Sequence, residues 1–505
     1  MEYLLSQIVK YIVIILFLVY TLSSYVVLRN RMEERKRRRI YRAQIACMLA
    51  IHFLCYLVIA ITEENFSLWI LWAAGVGLVI LIYVIYGLIY KNDARLITNH
   101  MCMLILIGMI FLTRLDASDA IRQLEIAAIA MVISIFVPVL IARFKYLRRF
   151  TWVYGIVGIL ALGVVLALGQ VTGGAKLSFT VAGITLQPSE FVKLLFVFFV
   201  ACMLIKARDF KDILIATVFA AIHVILLVGS TDLGAALIFY ITYVIMLYCA
   251  TRKGIYLLGG IGVGAVAAVA AAKVFSHVQV RVEAWLDPLG NIADSGYQVS
   301  DSLFAIGTGG WLGTGLYQGM PEKIPVVESD FIFSGIAEEF GGIFAICLIL
   351  VCFSCVVMMT NVAMQIRDLF YKLIALGFGS VYAIQVFLNI GGVIKCIPST
   401  GVTLPFISSG GSSIFVTIIM FAIVQGLYIY RHIEGDIYEE QIRSGKRPIR
   451  TIRYEPQNGN NAANDRTKQT TDTKSKSNAK SKSDTKSDDK PIRSVEYKPG
   501  SKNKY

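Results

Sequence analysis

"NIGGVIKCIPSTGVTLPFISSGGSS", residues 389–413, lies between two apolar segments and holds five Gly, two Pro and seven Ser or Thr. Gly and Pro are the poorest helix formers, so no helix runs through it unbroken. Irregular backbone at membrane depth survives only where protein buries it or where it lines a wet cavity. Pro398, Gly401, Pro405, Gly410 and Gly411 break the helices here. Ser399, Thr400, Thr403, Ser408, Ser409, Ser412 and Ser413 offer hydroxyls. Taken alone, the pattern suits an ion site in a transporter as well as a substrate groove in an enzyme.

The membrane setting comes from the rest of the chain. Its 505 residues are 56% hydrophobic with a mean hydropathy of +0.67, against roughly 45–50% apolar in soluble proteins. Apolar runs long enough to cross a ~30 Å hydrocarbon core recur along most of it. They predict thirteen spans, near 7–28, 43–62, 67–90, 98–114, 125–142, 152–171, 190–206, 213–229, 233–250, 254–275, 331–359, 369–393 and 411–431. The fold class expected is an all-α polytopic membrane protein. The first apolar run is long, lacks a small-residue cleavage site and precedes a basic block, so it reads as a span and not as a cleaved leader.

Lys and Arg set the orientation. "RNRMEERKRRRIYR" (29–42), "KNDAR" (91–95), "ARFKYLRR" (142–149), "KARDFK" (206–211) and "TRK" (251–253) all fall on one side if there are thirteen spans. That side is expected to be the cytoplasm, with the C-terminal tail on it and the N-terminus outside. The outer connections then include 171–190, 229–234, the long segment 276–330 and the opening stretch. The net charge of +14 gathers in the cytoplasmic loops and tail, which argues against nucleic acid as a partner. The nine Cys sit in or beside apolar segments without metal-ligand spacing, and no protein metal site is predicted. From about 455 onward, "TKQTTDTKSKSNAKSKSDTKSDDK" has no apolar period and reads as disordered.

Five blocks in order now make a family resemblance specific. They are "GAKLSFTVAGITLQPSEFVKL" (174–194), "TDLGAAL" (231–237), "GYQVSDSLFAIGTGGWLGTGL" (296–316), "SDFIFSGIAEEFG" (329–341) and "PSTGVTLPFISSGGSS" (398–413). Together they resemble the SEDS family, the FtsW/RodA/SpoVE group of shape, elongation, division and sporulation proteins. The resemblance covers roughly 98–432, the family's usual ten-span core. It leaves 1–97 as a three-span N-terminal extension and 433–505 as a cytoplasmic tail.

The resemblance implies a peptidoglycan glycosyltransferase that polymerises lipid II on the outer face of the membrane, during elongation, division or sporulation. The acceptor's sugar 4-hydroxyl attacks the donor's anomeric carbon and undecaprenyl pyrophosphate leaves. Such a transfer needs a carboxylate base and positive charge or N–H donors for the leaving group. It also implies a class B penicillin-binding protein, a transpeptidase, as partner, and a divalent cation is a possible helper at the pyrophosphate. Candidate substrate-binding residues are Lys176, Ser189, Glu190, Lys193, Asp232, Arg281, Ser399, Thr400 and Ser412. Charge near the membrane is costly to leave unpaired, which favours a functional role for the cations among them. Interface snorkelling competes for Lys193, and a helix-start role competes for Glu190 and Asp232. Glu338 and Glu339 lie within an apolar span, so at least one is expected to face the bundle interior.

One departure bears on catalysis. The chain reads "RVEAWLDPLGNIADSGYQ" over 281–298, and Asn291 stands in the column where the family carries its catalytic Asp. An amide has no titratable carboxylate. Asp287, four residues earlier, and Asp294, three later, are the candidate bases, although either can simply shape a turn. Three readings follow: an active polymerase using a neighbouring acid, a catalytically degenerate scaffold or regulator of a penicillin-binding protein, and a lipid II flippase.

Overall fold

A computed structural model of the chain describes residues 2–29, 32–90, 94–144, 146–172, 175–181 and 184–444. The stretch from about 455 onward, where disorder is expected, lies outside the described residues, as does the rest of the tail beyond 444. Among the described residues, thirteen helical segments are long and apolar enough to cross a membrane, matching the spans expected from hydropathy. They are α1 (Glu2–Val27), α2 (Glu34–Thr62), α3 (Leu68–Ile89), α4 (Arg95–Leu115), α5 (Ala117–Ser134) continued by α6 (Val137–Arg143), α7 (Thr151–Leu168), α8 (Pro188–Lys206), α9 (Phe210–Gly229), α10 (Leu233–Thr251), α11 (Gly254–Val274), α14 (Ile332–Gln365), α15 (Leu369–Val393) and α16 (Gly411–Arg443). Two shorter helices, α12 (Ser276–Leu286) and α13 (Tyr297–Gly309), fold within the long connection between α11 and α14. Pro138 sits in the first turn of α6, where its missing N–H costs least and the preceding turn must break.

The connection between α7 and α8 is not all loop. It forms three short antiparallel strands, β1 (Gln170–Thr172), β2 (Ala175–Val181) and β3 (Ile184–Leu186), in the order β1-β2-β3. Hydropathy marks this stretch only as an outer connection between spans. "AKLSFTV" in fact alternates apolar and polar residues, the period of a strand.

The described residues up to 444 form one compact unit, in which α1–α3 pack with the rest. Most of α4 is buried. Three buried polar contacts tie it to α1 and α2. Tyr20 OH meets His100 Nδ1 at 3.0 Å, Asn99 Nδ2 donates to Gln44 Oε1 at 2.7 Å, and Tyr56 OH meets Thr113 Oγ1 at 2.8 Å. At the other extreme, α11 buries no residue. Its apolar surface therefore faces hydrocarbon in a bilayer.

The chain after α13 lies against α14. Gly341 interrupts α14 with φ +86°, and a Cβ there would come within 2.2 Å of Gly313 N, so only glycine permits the contact. The Thr314 and Gly315 amides donate to the carbonyls of Glu338 and Glu339, both at 2.9 Å. On its other side the same segment is held by α1. Ser6 Oγ donates to Leu316 O at 2.7 Å, Gln7 Nε2 to Thr314 O at 2.7 Å and Lys10 Nζ to Gly313 O at 3.0 Å. Three carbonyls outside any helix are thereby satisfied, as backbone at membrane depth requires.

Candidate active site

Polar side chains from four separated segments meet at one end of the bundle. Helix α8 starts at Pro188, and its first turns present Ser189, Glu190 and Lys193 inward, all buried. Glu190 Oε2 lies 2.7 Å from Lys193 Nζ, which also donates to Gln385 Oε1 on α15 at 2.9 Å. Gln385 Nε2 reaches Thr403 O at 3.2 Å, and Thr403 Oγ1 meets Ser413 Oγ at 2.8 Å. Ser189 Oγ donates to Asp232 Oδ2 at 3.0 Å, and the Gln187 amide to Ser412 Oγ at 3.0 Å. The pair is held mainly from the Lys193 side, since Glu190 Oε2 takes no further hydrogen bond among the described residues.

Asp232 caps α10 by accepting the Ala235 amide at 3.1 Å. Loss of water lifts its carboxyl above the ordinary carboxylate range. The Ala235 amide and Ser189 hydroxyl oppose the rise, and Glu190 adds to it. Gly234 lets the start of α10 approach the opening stretch, since a Cβ there would meet Thr400 O at 3.0 Å. The stretch 398–413 thus faces α8 and α10 on one side.

On its other side it faces the long connection. Arg281 Nη1 donates to Ser399 O at 3.2 Å, and Trp285 Nε1 to Lys395 O at 3.1 Å. Between these elements lies a cavity of about 330 Å³ whose lining includes Thr231, His277, Arg281, Gln298, Asp330 and Ser399. Burial and the adjacent Arg281 hold His277 below the usual imidazole value, so the ring is neutral near pH 7. Loss of water raises the Asp330 carboxyl, Arg281 opposes that rise and Glu328 adds to it.

The candidate residues therefore divide. Ser189, Glu190, Lys193, Asp232 and Ser412 belong to the buried network, and Arg281 and Ser399 line the cavity. Thr400 Oγ1 is buried and has no hydrogen-bond partner among the described residues. Lys176 lies on β2, and its side chain is outside the described residues. Asp287 and Asp294 are exposed, and neither is among the residues lining the cavity. Asp287 Oδ1 accepts the Gly290 amide at 2.9 Å and its carbonyl accepts Asn291 Nδ2 at 2.9 Å, so it shapes the turn that carries Asn291. Sequence reasoning did not single out Asp330, His277 or Gln385. Gln385 is a polar residue inside an apolar span, while Asp330 just before α14 and His277 in α12 carry no local signal.

Glu338 and Glu339 do face inward. Glu339 Oε1 accepts Arg114 Nε at 3.1 Å and the Tyr317 amide at 3.1 Å, and Glu338 Oε1 accepts the Met320 amide at 3.1 Å. This second node anchors the 313–320 segment. Among the described residues no group of three or more His, Cys, Asp or Glu is placed to hold a metal ion.

Residues 94–432 match the family model described as cell cycle protein, FtsW/RodA/SpoVE. The chain is 31% identical over 350 residues to peptidoglycan glycosyltransferase RodA of Mycobacterium tuberculosis, covering 63% of this chain and 74% of that one. It is 34% identical over 330 residues to stage V sporulation protein E of Bacillus subtilis, covering 62% and 86%. A solved chain from work on the structural coordination of polymerization and crosslinking by a peptidoglycan synthase complex superposes with a TM-score of 0.58 at 22% identity. That match covers 68% of this chain and 99% of the other.

Proposed function

The chain belongs to the FtsW/RodA/SpoVE cell cycle protein family, and on that premise we infer that it is a peptidoglycan glycosyltransferase that polymerises lipid II in elongation, division or sporulation. A relative 31% identical to it is named as a peptidoglycan glycosyltransferase. The observation that carries the reading is convergence. Gln187–Lys193, Thr231–Gly234, Gln298, Asp330 and 399–413 come from five sequence blocks, and they surround one buried ion pair and one cavity at the same end of the bundle.

The chemistry follows from that arrangement. A sugar hydroxyl attacks an anomeric carbon, and a lipid-linked pyrophosphate departs. Arg281 supplies positive charge for the departing group, and Lys193, tied to Glu190, fixes α8 against α15 and the opening stretch. Ser399, Thr400 and Ser412 supply hydroxyls on the same rim. Lys176 is placed by β2 on the neighbouring connection.

The site is read as facing outward, with the N-terminus outside and the tail in the cytoplasm. The basic connections support this, because thirteen spans put them all on the opposite side from the cavity. The functional division is a three-span extension over 1–97, a ten-span core over 98–432 and a tail over 433–505. A class B penicillin-binding protein is the proposed partner, supported by the solved relative's place in a synthase complex that polymerises and crosslinks.

One observation favours a second reading. Residue 291 is Asn, where the family resemblance implies a catalytic Asp, and a chain without a base would serve as a scaffold for the transpeptidase. The test is the purified full-length chain with lipid II in detergent, with glycan strands read on a gel. Strands are expected. Their absence, with binding of the transpeptidase retained, would establish the scaffold.

A further inference from the structure

If Asn291 cannot accept a proton, the base must be found elsewhere, and the geometry narrows the choice. Asp330 is the one carboxylate among the residues lining the cavity. Its backbone is pinned from two sides. Its carbonyl accepts Asn389 Nδ2 at 3.0 Å, and its amide donates to Val326 O at 3.2 Å. The carboxylate itself takes no hydrogen bond among the described residues, so both oxygens remain available.

Opposite it stands Arg281. Among the described residues no ion pair joins the two, yet both reach the same point. A Cβ built on Gly401 would lie 3.3 Å from Arg281 Nη2 and 3.4 Å from Asp330 Oδ2. Gly401 has φ +69°, a conformation that glycine adopts freely. The result is a slot with a cation on one wall, a carboxylate on the other and no side chain on the floor. A cavity of about 330 Å³ is at the small end of ligand sites, roughly 300–1,000 Å³. It suits a sugar ring with its attached phosphate better than a whole lipid-linked unit.

We propose that Asp330 is the general base of this glycosyltransferase, taking the proton from the acceptor sugar's hydroxyl in the slot it forms with Arg281 and Gly401. The proposal rests on the polymerase reading above. In the step, the hydroxyl O–H bond breaks and its proton passes to an Asp330 oxygen. The hydroxyl oxygen bonds to the donor's anomeric carbon. The bond from that carbon to the pyrophosphate oxygen breaks, and its electron pair leaves with the lipid pyrophosphate, whose charge Arg281 faces. Asp287 and Asp294, exposed outside this lining, then shape the turn and take no proton. The charged or titratable groups facing Asp330 are Arg281 and His277 from α12 and Glu328 from its own connection. The raised carboxyl makes it a better base than an ordinary Asp, provided the pH stays above its titration.

The experiment compares the purified full-length wild type with Asp330→Asn, Asp330→Glu, Asp287→Asn and Asp294→Asn. Strand formation from lipid II and binding of a fluorescent lipid II are both measured. Asp330→Asn is expected to lose about 10²-fold or more in rate, the scale of general-base catalysis, while still binding lipid II. The other two Asn variants are expected to stay within about threefold, since neither removes a base. Asp330→Glu keeps a carboxylate, and its acid limb of rate against pH is expected to move. An active wild type whose Asp330→Asn variant stays within about tenfold overturns the assignment alone. A wild type that makes no strands overturns both the assignment and the polymerase reading. If Asp330→Asn fails to fold, a fully active Asp330→Glu with an unchanged pH profile overturns the assignment.

Discussion

Replacing Arg114 by Met strands a buried carboxylate, and the cost can be worked from the contacts. The Glu339 side chain is 0% exposed and that of Arg114 10%, with Nε 3.1 Å from Oε1. The Tyr317 amide gives Glu339 one further hydrogen bond. Arg114 also lies 3.3 Å from Glu322, but that side chain is 58% exposed. Solvent screening leaves the outer pair worth roughly 0–1 kcal/mol. The inner pair differs, because breaking a buried pair by removing one partner costs about 3–5 kcal/mol. Arg114→Met should therefore destabilise by about that much, and Glu322→Ala by under about 1 kcal/mol. Adding Glu339→Gln to Arg114→Met removes the stranded charge while keeping the shape. The double variant should regain most of the loss, giving a coupling of about 2 kcal/mol or more. The assay is reversible unfolding of the purified chain in mixed micelles, run as a double-mutant cycle. An Arg114→Met cost no larger than that of Glu322→Ala, or strict additivity in the cycle, would refute the account.

Gly108→Ala places a methyl 2.8 Å from Phe406 O and 2.9 Å from Ile407 Cα. Both are backbone atoms, so the same unfolding assay should report a loss of about 1–3 kcal/mol. Gly401→Ala forces a left-handed residue, costing roughly 1–2 kcal/mol, and fills the slot between Arg281 and Asp330. Polymerisation should fall well beyond what the stability loss explains, and an unchanged rate would contradict the slot. Asn291→Asp should change the rate by no more than about threefold if the base lies elsewhere; a large gain from an inactive wild type would instead mark a degenerate polymerase. For pH, an ionised base is needed, and the Asp330 carboxyl is raised. The rate should therefore fall as pH drops through that raised value. The stability contribution runs the other way, since a raised folded-state carboxyl favours the protonated form and loses stability as pH rises through it. A rate–pH acid limb at the ordinary Asp position would count against Asp330.

The spans were legible because each is a window of hydropathy, a property of contiguous residues. The fold of the 170–186 connection was legible too and was missed. Gly173-Gly174 before "AKLSFTV" is a hairpin signal followed by strand alternation, but breakers in a membrane chain suggested loop. The buried network around Glu190 was half legible. "QPSE", "TDLG" and "GGSS" marked their own positions, while the partner Gln385 looked like one polar residue in an apolar run. Asp330 was hidden for a different reason. Before a span it reads as an acid that starts a helix, and only the fold sets Gly401 and Arg281 around it. In the same way nothing local pairs Arg114 with Glu339.

The hold of α1 on the segment after α13 has a consequence for how the chain is made. Ser6, Gln7 and Lys10 find their acceptors 310, 307 and 303 residues later. At about 5–20 residues per second, ribosomes deliver those carbonyls roughly fifteen seconds to a minute after α1 has emerged. During that wait the Lys10 ammonium has Gln7 one turn away but no carbonyl from the far end of the chain. Helix α1 is thus fully seated only after the connection beyond α13 has been made, with α14, α15 and α16 still to follow. A chain cut short before residue 313 leaves Ser6 and Lys10 without these long-range acceptors, so α1 stays loosely held until that point of synthesis is passed.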